Sequence, residues 1–238
     1  MRSNTDLELP KDARTLMKAP RQSEVTPMCT GKYCHYGMQK AVEEILKEYH
    51  RRGIEKRELH LTFNIDGLPI FKSSEKSLWL ILCSERNLKN VYVIGMYWGY
   101  EKPSDPNAYL TSFAKEAIEI CQNGVTWKKK PVKVYFHALI CDAPAKSMCR
   151  NTKGHSGYRS CSKCTIRGKY MYKTKGQRNV GNGQKVGGRV CFPGVQQHAC
   201  RSDEEFALGA YVEIGKGYQL GSTELTKIPG FKGVSGVP

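Results

Sequence analysis

The sequence predicts an α/β chain of the α+β type, built on a mixed sheet with the element order β-β-β-α-β and preceded by one helix. Three observations predict it. Short runs rich in β-branched and aromatic residues succeed one another between residues 59 and 97. Two stretches, 38–49 and 109–121, repeat apolar residues at intervals of three and four. A further strand-like run, 132–141, follows the second of these stretches.

Taken in order, the first thirty residues are rich in Pro, Ser, Thr and charge, without hydrophobic periodicity, and predict an extended arm. Met38, Ala41, Val42, Ile45, Leu46 and Tyr49 then make one helical stripe, with Gly53 placed to end the helix. Leu59–Ile65, Leu78–Leu82 and Val91–Tyr97 read as three strands of an antiparallel meander. The cluster Ser104-Asp105-Pro106-Asn107 opens a second helix, with Tyr109, Leu110, Phe113, Ala117, Ile118 and Cys121 on one face and Gly124 at its end. Val132–Cys141 alternates at first and then becomes continuously apolar, as a strand entering a buried position does. Beyond Cys149 regular structure is harder to find, and the basic, glycine-rich stretch 169–189 predicts a loop or an insertion facing nucleic acid. These readings divide the chain into an N-terminal arm and helix (1–58), a core (59–150) and an insertion region (151–238).

Charge narrows the class of partner. Among 238 residues, Lys and Arg outnumber Asp and Glu by 38 to 22, a formal charge of +16. Such an excess points to an anionic partner, most simply nucleic acid, and equally suits a basic protein of a large assembly. No charged segment followed by an apolar core opens the chain, so no signal peptide is read. Apolar runs such as 91–98 are too short to span a bilayer. The ten cysteines therefore predict reduced thiols or metal ligands, and Cys161 with Cys164 forms the one CxxC pair of metal-ligand spacing.

Two carboxylates stand where chemistry would need them. The order β-β-β-α-β matches the opening of an RNase H-like fold, in which one acid lies on the first strand and a second at the end of the fourth. Asp66 ends the run Leu-Thr-Phe-Asn-Ile-Asp and Asp142 ends Phe-His-Ala-Leu-Ile-Cys-Asp. Placed side by side they repel, and divalent metal, Mg²⁺ or Mn²⁺, relieves that repulsion. Either Asp alone reads as well as a turn residue, before Gly or before Ala-Pro. Lys72 and Lys146, just past the two acids, are candidates for DNA phosphate, with solvated surface lysine as the plainer reading.

The blocks around these acids resemble a known family. Asn64-Ile65-Asp66-Gly67-Leu68-Pro69-Ile70-Phe71, then Ser77-Leu78-Trp79-Leu80-Ile81-Leu82, resemble the DG-x-P-F and S-x-W-P-I-L blocks of CACTA-type (En/Spm) DNA transposases. Asp142-Ala143-Pro144-Ala145 resembles the second-Asp block, and 153–164, Lys-Gly-His-Ser-Gly-Tyr-Arg-Ser-Cys-Ser-Lys-Cys, the segment carrying the CxxC. Leu9–Leu16 and Arg201–Phe206 resemble blocks of the animal branch, so the resemblance runs in order through nearly the whole chain. It implies that Asp66 and Asp142 are the first two acids of a DDE triad for cutting and joining DNA. It also implies that Cys161 and Cys164 are half of a Zn²⁺ site whose other half is a downstream His pair. The chain departs from the pattern by reaching Pro238 before that pair or the helix bearing the third acid, which suggests a C-terminally truncated fragment. Glu205, Glu213 and Glu224 are late acids without a convincing amphipathic helix, and His198, Cys200 and Cys191 are irregularly spaced for zinc.

The expectation is thus a transposase core acting on transposon-end DNA, incomplete or inactive as it stands, in the nucleus, with a homo-oligomer as its candidate assembly. The alternative is a transposon-derived protein that binds nucleic acid or zinc without catalysis. A zinc-dependent nucleobase deaminase would need a His-x-Glu motif, which the sequence lacks.

Overall fold

The computed structural model describes residues 24–69, 76–154, 156–172, 187–193, 198–213 and 217–235. It is a mixed α+β fold with a large, mostly antiparallel sheet. The described elements run β1 (Val25–Met28), β2 (Gly31–His35), α1 (Met38–Arg51), β3 (Glu58–Pro69), β4 (Ser77–Glu85), β5 (Val91–Gly99), α2 (Pro106–Asn123), β6 (Val125–Trp127), β7 (Lys130–Cys141) and α3 (Ala143–Cys149). Then come β8 (Lys169–Tyr172), β9 (Gly188–Cys191), α4 (Asp203–Ala207) and a 3₁₀ turn, Glu224–Lys227. Seven strands form one sheet in the order β1-β2-β5-β4-β3-β7-β6, and β8 pairs with β9 alone. Within the large sheet, β3 and β7 are parallel and the other pairs antiparallel.

The predicted helices and the four predicted strands are all present, several of them longer than the sequence suggests. Three differences have physical reasons. Residues 25–28, expected in the arm, form β1 because Gly31–His35 folds back on them and docks along β5. Stretch 169–189, expected as a loop, begins and ends in the β8–β9 hairpin, while 173–186 lies outside the described residues. The hairpin joining β6 to β7 turns on Lys128 and Lys129, both at positive φ (48° and 65°), a turn usually advertised by Asn-Gly.

The core lies between one face of the sheet and helices α1 and α2. Strand β3 alternates cleanly: Leu59, Leu61, Phe63 and Ile65 are buried, while His60, Thr62, Asn64 and Asp66 are half-buried on the other face. Phe113 of α2 meets Phe63 edge-on, with ring centroids 5.0 Å apart, and Phe136 of β7 stacks on the same ring at 5.0 Å. Leu225 of the 3₁₀ turn and Ile228 just past it join this core, which ties residues of the 151–238 region to the sheet.

Two polar devices hold the helices. Helix α1 starts at Gly37, which has no side chain to cap it, and Glu116 of α2 does so instead. Its Oε2 accepts the Met38 N–H at 2.6 Å and lies 2.9 Å from His35 Nε2. Burial raises the Glu116 carboxyl pKa, but these hydrogen bonds and the neighbouring Lys40 outweigh it and set it below the ordinary 4.5. A carboxylate lowered in the folded state contributes stability above its unfolded pKa and loses it as pH falls through the folded one. Unfolding free energy measured by urea titration is therefore expected to drop below about pH 4.5, and Glu116→Gln is expected to flatten that part of the profile.

At the other end of α1, the buried Tyr49 hydroxyl donates to the buried Glu85 carboxylate, which also accepts the Asn87 N–H at 2.7 Å. Burial, with Glu85 beside it, pushes the Tyr49 hydroxyl up to about 12, so it stays a donor throughout the physiological range. Tyr49→Phe leaves a buried carboxylate short of one donor. Its expected cost in urea denaturation is about 1–3 kcal/mol.

Candidate functional site

The parallel pair β3 and β7 brings the two predicted acids together. Leu61 pairs with Phe136, but Thr62 pairs with Ala138, so His137 is an extra residue in β7, a bulge. After the bulge the register runs Asn64 with Ile140 and Ile65 with Cys141, which sets Asp66 and Asp142 one step further along adjacent strands. Leu139 and Cys141 pack against the core together with buried Ile65. By the period of two, the residue following each strand's last paired position faces away from the core.

Asp66 does not end its strand, as the apolar run suggests; β3 continues through Pro69, paired with β4. Gly67 is required there because the Trp79 ring lies across it, and an added Cβ would stand 2.7 Å from ring atoms. Asp142 caps α3: its Oδ1 accepts the Ala145 N–H at 2.7 Å. Asp66 Oδ1 accepts the Gly67 N–H at 2.8 Å. Each carboxylate thus has one oxygen fixed by backbone. Among the described residues, neither second oxygen has a hydrogen bond or ion pair.

The Cys141 thiol, on the core side of β7 next to Asp142, is hydrogen-bonded to Cys149. That bond lowers the Cys141 pKa against burial and against the charges of Asp142 and Asp66, and it raises the pKa of fully buried Cys149. A cavity of about 840 Å³ runs along the edge of β7, where no described strand pairs beyond Val132; it is lined by Cys141 and Cys149 but by neither acid. Its lining includes His60, His137, Lys146, Arg150 and Lys232. Arg150 is 4% exposed, packs its guanidinium 5.2 Å from the Phe206 ring centroid, and leaves Nε and Nη2 without hydrogen-bond partners. Burial and Arg150 hold the Lys146 amine below its ordinary pKa. Sequence reasoning found Lys146 but missed Arg150, because only the fold shows that an arginine in this basic chain is buried.

The remaining candidates lie apart. Lys72 falls outside the described residues. Glu205 accepts from the Tyr211 hydroxyl, Glu213 is 3.3 Å from Arg159, and Glu224 pairs with Lys227 at 2.7 Å. Among the described residues no three of His, Cys, Asp and Glu gather as a ready-made metal cage. Cys161 and Cys164 do converge, with sulfurs 3.6 Å apart. Burial raises the Cys161 pKa, but the backbone N–H groups of Cys164 and Lys163 point at its sulfur and lower it below the ordinary value. The Ile166 N–H does the same for the Cys164 sulfur, although burial and Cys161 leave that thiol raised. Cys191, on β9, points its thiol at its own strand's Arg189 carbonyl, 3.9 Å away.

No described helix is long and apolar enough to cross a membrane. Compared with known proteins, the chain matches no protein-family model and no curated sequence.

Proposed function

We propose that this chain carries the RNase H-like core of a CACTA-type (En/Spm) DDE transposase, with Asp66 and Asp142 as its first two metal-binding carboxylates. The observation that carries this reading is the parallel register of β3 and β7, which sets the acids side by side although 75 residues separate them in sequence. The strand order β5-β4-β3-β7, antiparallel except for its last pair, suits the same fold.

The acids fit a divalent ion. Two neighbouring carboxylates repel, and a divalent ion between them relieves that repulsion, while one oxygen of each is already oriented by a backbone N–H. Mg²⁺ or Mn²⁺, when bound, supplies activation of water or a 3′-hydroxyl and stabilises the leaving oxygen of the phosphodiester. The chain's own contribution is orientation. The Gly67 and Ala145 N–H groups fix the carboxylates. Lys146, exposed on α3, offers positive charge to DNA phosphate beside them. DNA is the substrate this assigns, and the nucleus the compartment in which it meets it.

The experiment is Mn²⁺ binding by the purified chain, followed by electron paramagnetic resonance. Saturable binding at the acidic pair is expected. A chain that binds DNA but no Mn²⁺ would instead fit a second reading, a non-enzymatic nucleic-acid-binding protein, which the net charge of +16 favours.

A further inference from the structure

The face of the large sheet turned away from α1 and α2 carries more than an acid, and register places its residues in rows. Asp66 pairs with Leu80 and Leu80 with Met96. Two residues along the strands, Leu68 pairs with Leu78, Leu78 with Trp98 and Trp98 with Lys32. Residues opposite one another share a face, so Asp66, Leu68, Trp98 and Lys32 all look outward, while Ile65, Trp79, Ile81 and Tyr97 point into the core. From Asp66 to Trp98 is two strands across and two residues along, roughly 12 Å between backbones.

At that corner aromatic rings and cations converge. Trp98 is 36% exposed and Tyr100, two residues on, 62%. Lys76 Nζ stands over both rings, 4.7 and 5.0 Å from their centroids, so a face of each is reached by a flexible side chain rather than by the core. Lys32 is exposed beside Trp98, and both lysines and both rings line one cleft of about 120 Å³ together with Thr30. The pattern selects a ligand that offers a flat face to the rings and negative charge to the amines. An unpaired nucleotide offers both, since its base stacks and its phosphate pairs. In a duplex the base faces are already stacked on one another, and a second copy of a chain of charge +16 would add like charge at this corner.

We propose that Trp98 and Tyr100, with Lys32 and Lys76, form a subsite for single-stranded DNA that holds nucleotides flanking the phosphodiester at the acidic pair. Leu80, Met96 and Leu68 lie between the two places as an apolar floor. The span corresponds to roughly three or four nucleotides at the spacing of a stacked strand. The position of the subsite beside a reacting phosphate rests on the reading of Asp66 and Asp142 given above; its affinity for unpaired nucleotides does not.

The test is titration of the full chain with octathymidylate in the absence of divalent metal, followed by tryptophan fluorescence and by the anisotropy of labelled oligonucleotide. Stacking on Trp98 is expected to quench part of the emission. Trp79 is buried and Trp127 lies on β6, so Trp127→Phe is expected to leave the quench in place. Trp98→Phe, which keeps a ring at the same exposed position, is expected to lose the quench but hold most of the affinity. Trp98→Ala is expected to weaken binding at least about fivefold, the lower end of what one base–aromatic stack contributes. Lys32→Ala is expected to lower the slope of log affinity against log salt by about 0.7, the loss of one phosphate contact on a single strand. Absence of quenching in the wild type, wild-type affinity in Trp98→Ala, or equal quenching by polyglutamate or by a duplex of the same length would overturn the subsite. The two readings fail separately. A quench that persists in a chain binding no Mn²⁺ would uphold the nucleotide subsite and remove the catalytic reading, whereas Mn²⁺ bound at the acids without any quench would overturn the subsite alone.

Discussion

Any Mg²⁺- or Mn²⁺-dependent nicking of supercoiled DNA is expected to fall at least about 100-fold in Asp66→Asn and in Asp142→Asn, since a metal ligand carries several kcal/mol of transition-state stabilisation. Both should also weaken Mn²⁺ binding. The substitutions suit the question because they spare the local structure. Asn caps a helix about as well as Asp, so residue 142 keeps its bond from Ala145, and at 66 the amide oxygen still accepts the Gly67 N–H. Unfolding midpoints are therefore expected to stay near wild type, or to rise slightly as the like-charge repulsion disappears. DNA binding in gel shifts without divalent metal should persist, because it depends on the basic surface. Unchanged Mn²⁺ affinity in the Asp66→Asn/Asp142→Asn double variant would sink the metal-site reading. Nicking that survives both changes would place its source elsewhere.

The largest stability effect is expected at Phe113. It is fully buried on α2, edge-on to Phe63, which in turn stacks on Phe136, so one ring links the helix to both parallel strands. Phe113→Ala removes the ring and leaves a cavity that the sheet is too stiff to fill, at an expected cost of about 3–5 kcal/mol. Lys115→Ala, on the exposed side of the same helix, should stay within about 0.5 kcal/mol of wild type. Urea titrations of the three proteins separate the cases. Equal midpoints for Phe113→Ala and wild type would mean that α2 is not docked as described. Loss of Phe113 should also lower Mn²⁺ affinity, because the sheet it supports carries both acids.

The sequence by itself determined the repeating elements. Apolar spacing marked α1 and α2 because each buries one stripe and leaves the rest in water, and Asp105 and Gly124 marked the ends of α2 by their capping chemistry. Runs of β-branched and aromatic residues marked β3, β4, β5 and β7 for the same reason, that a half-buried pleated surface selects them. The sequence also supplied Asp66, Asp142, Cys161 and Cys164 as candidates, each by chemical type and local context.

The pairings were decided only by the tertiary structure. A β1 of mostly exposed residues has no periodicity to read, and it is a strand because β2 returns along it. The Lys128-Lys129 turn carries no turn signal, and its positive φ values are imposed by the strands it joins. The bulge at His137 is the sharpest case. Without that one extra residue, Cys141 rather than Asp142 would stand beside Asp66, and no local pattern in β7 announces it. Likewise, Cys164 meets Cys200 across a bridge spanning 36 positions, a contact with no periodicity behind it. Local propensity is written into neighbouring residues, whereas register is fixed by how distant segments share one core, so the elements could be read from the sequence and the sites they assemble could not.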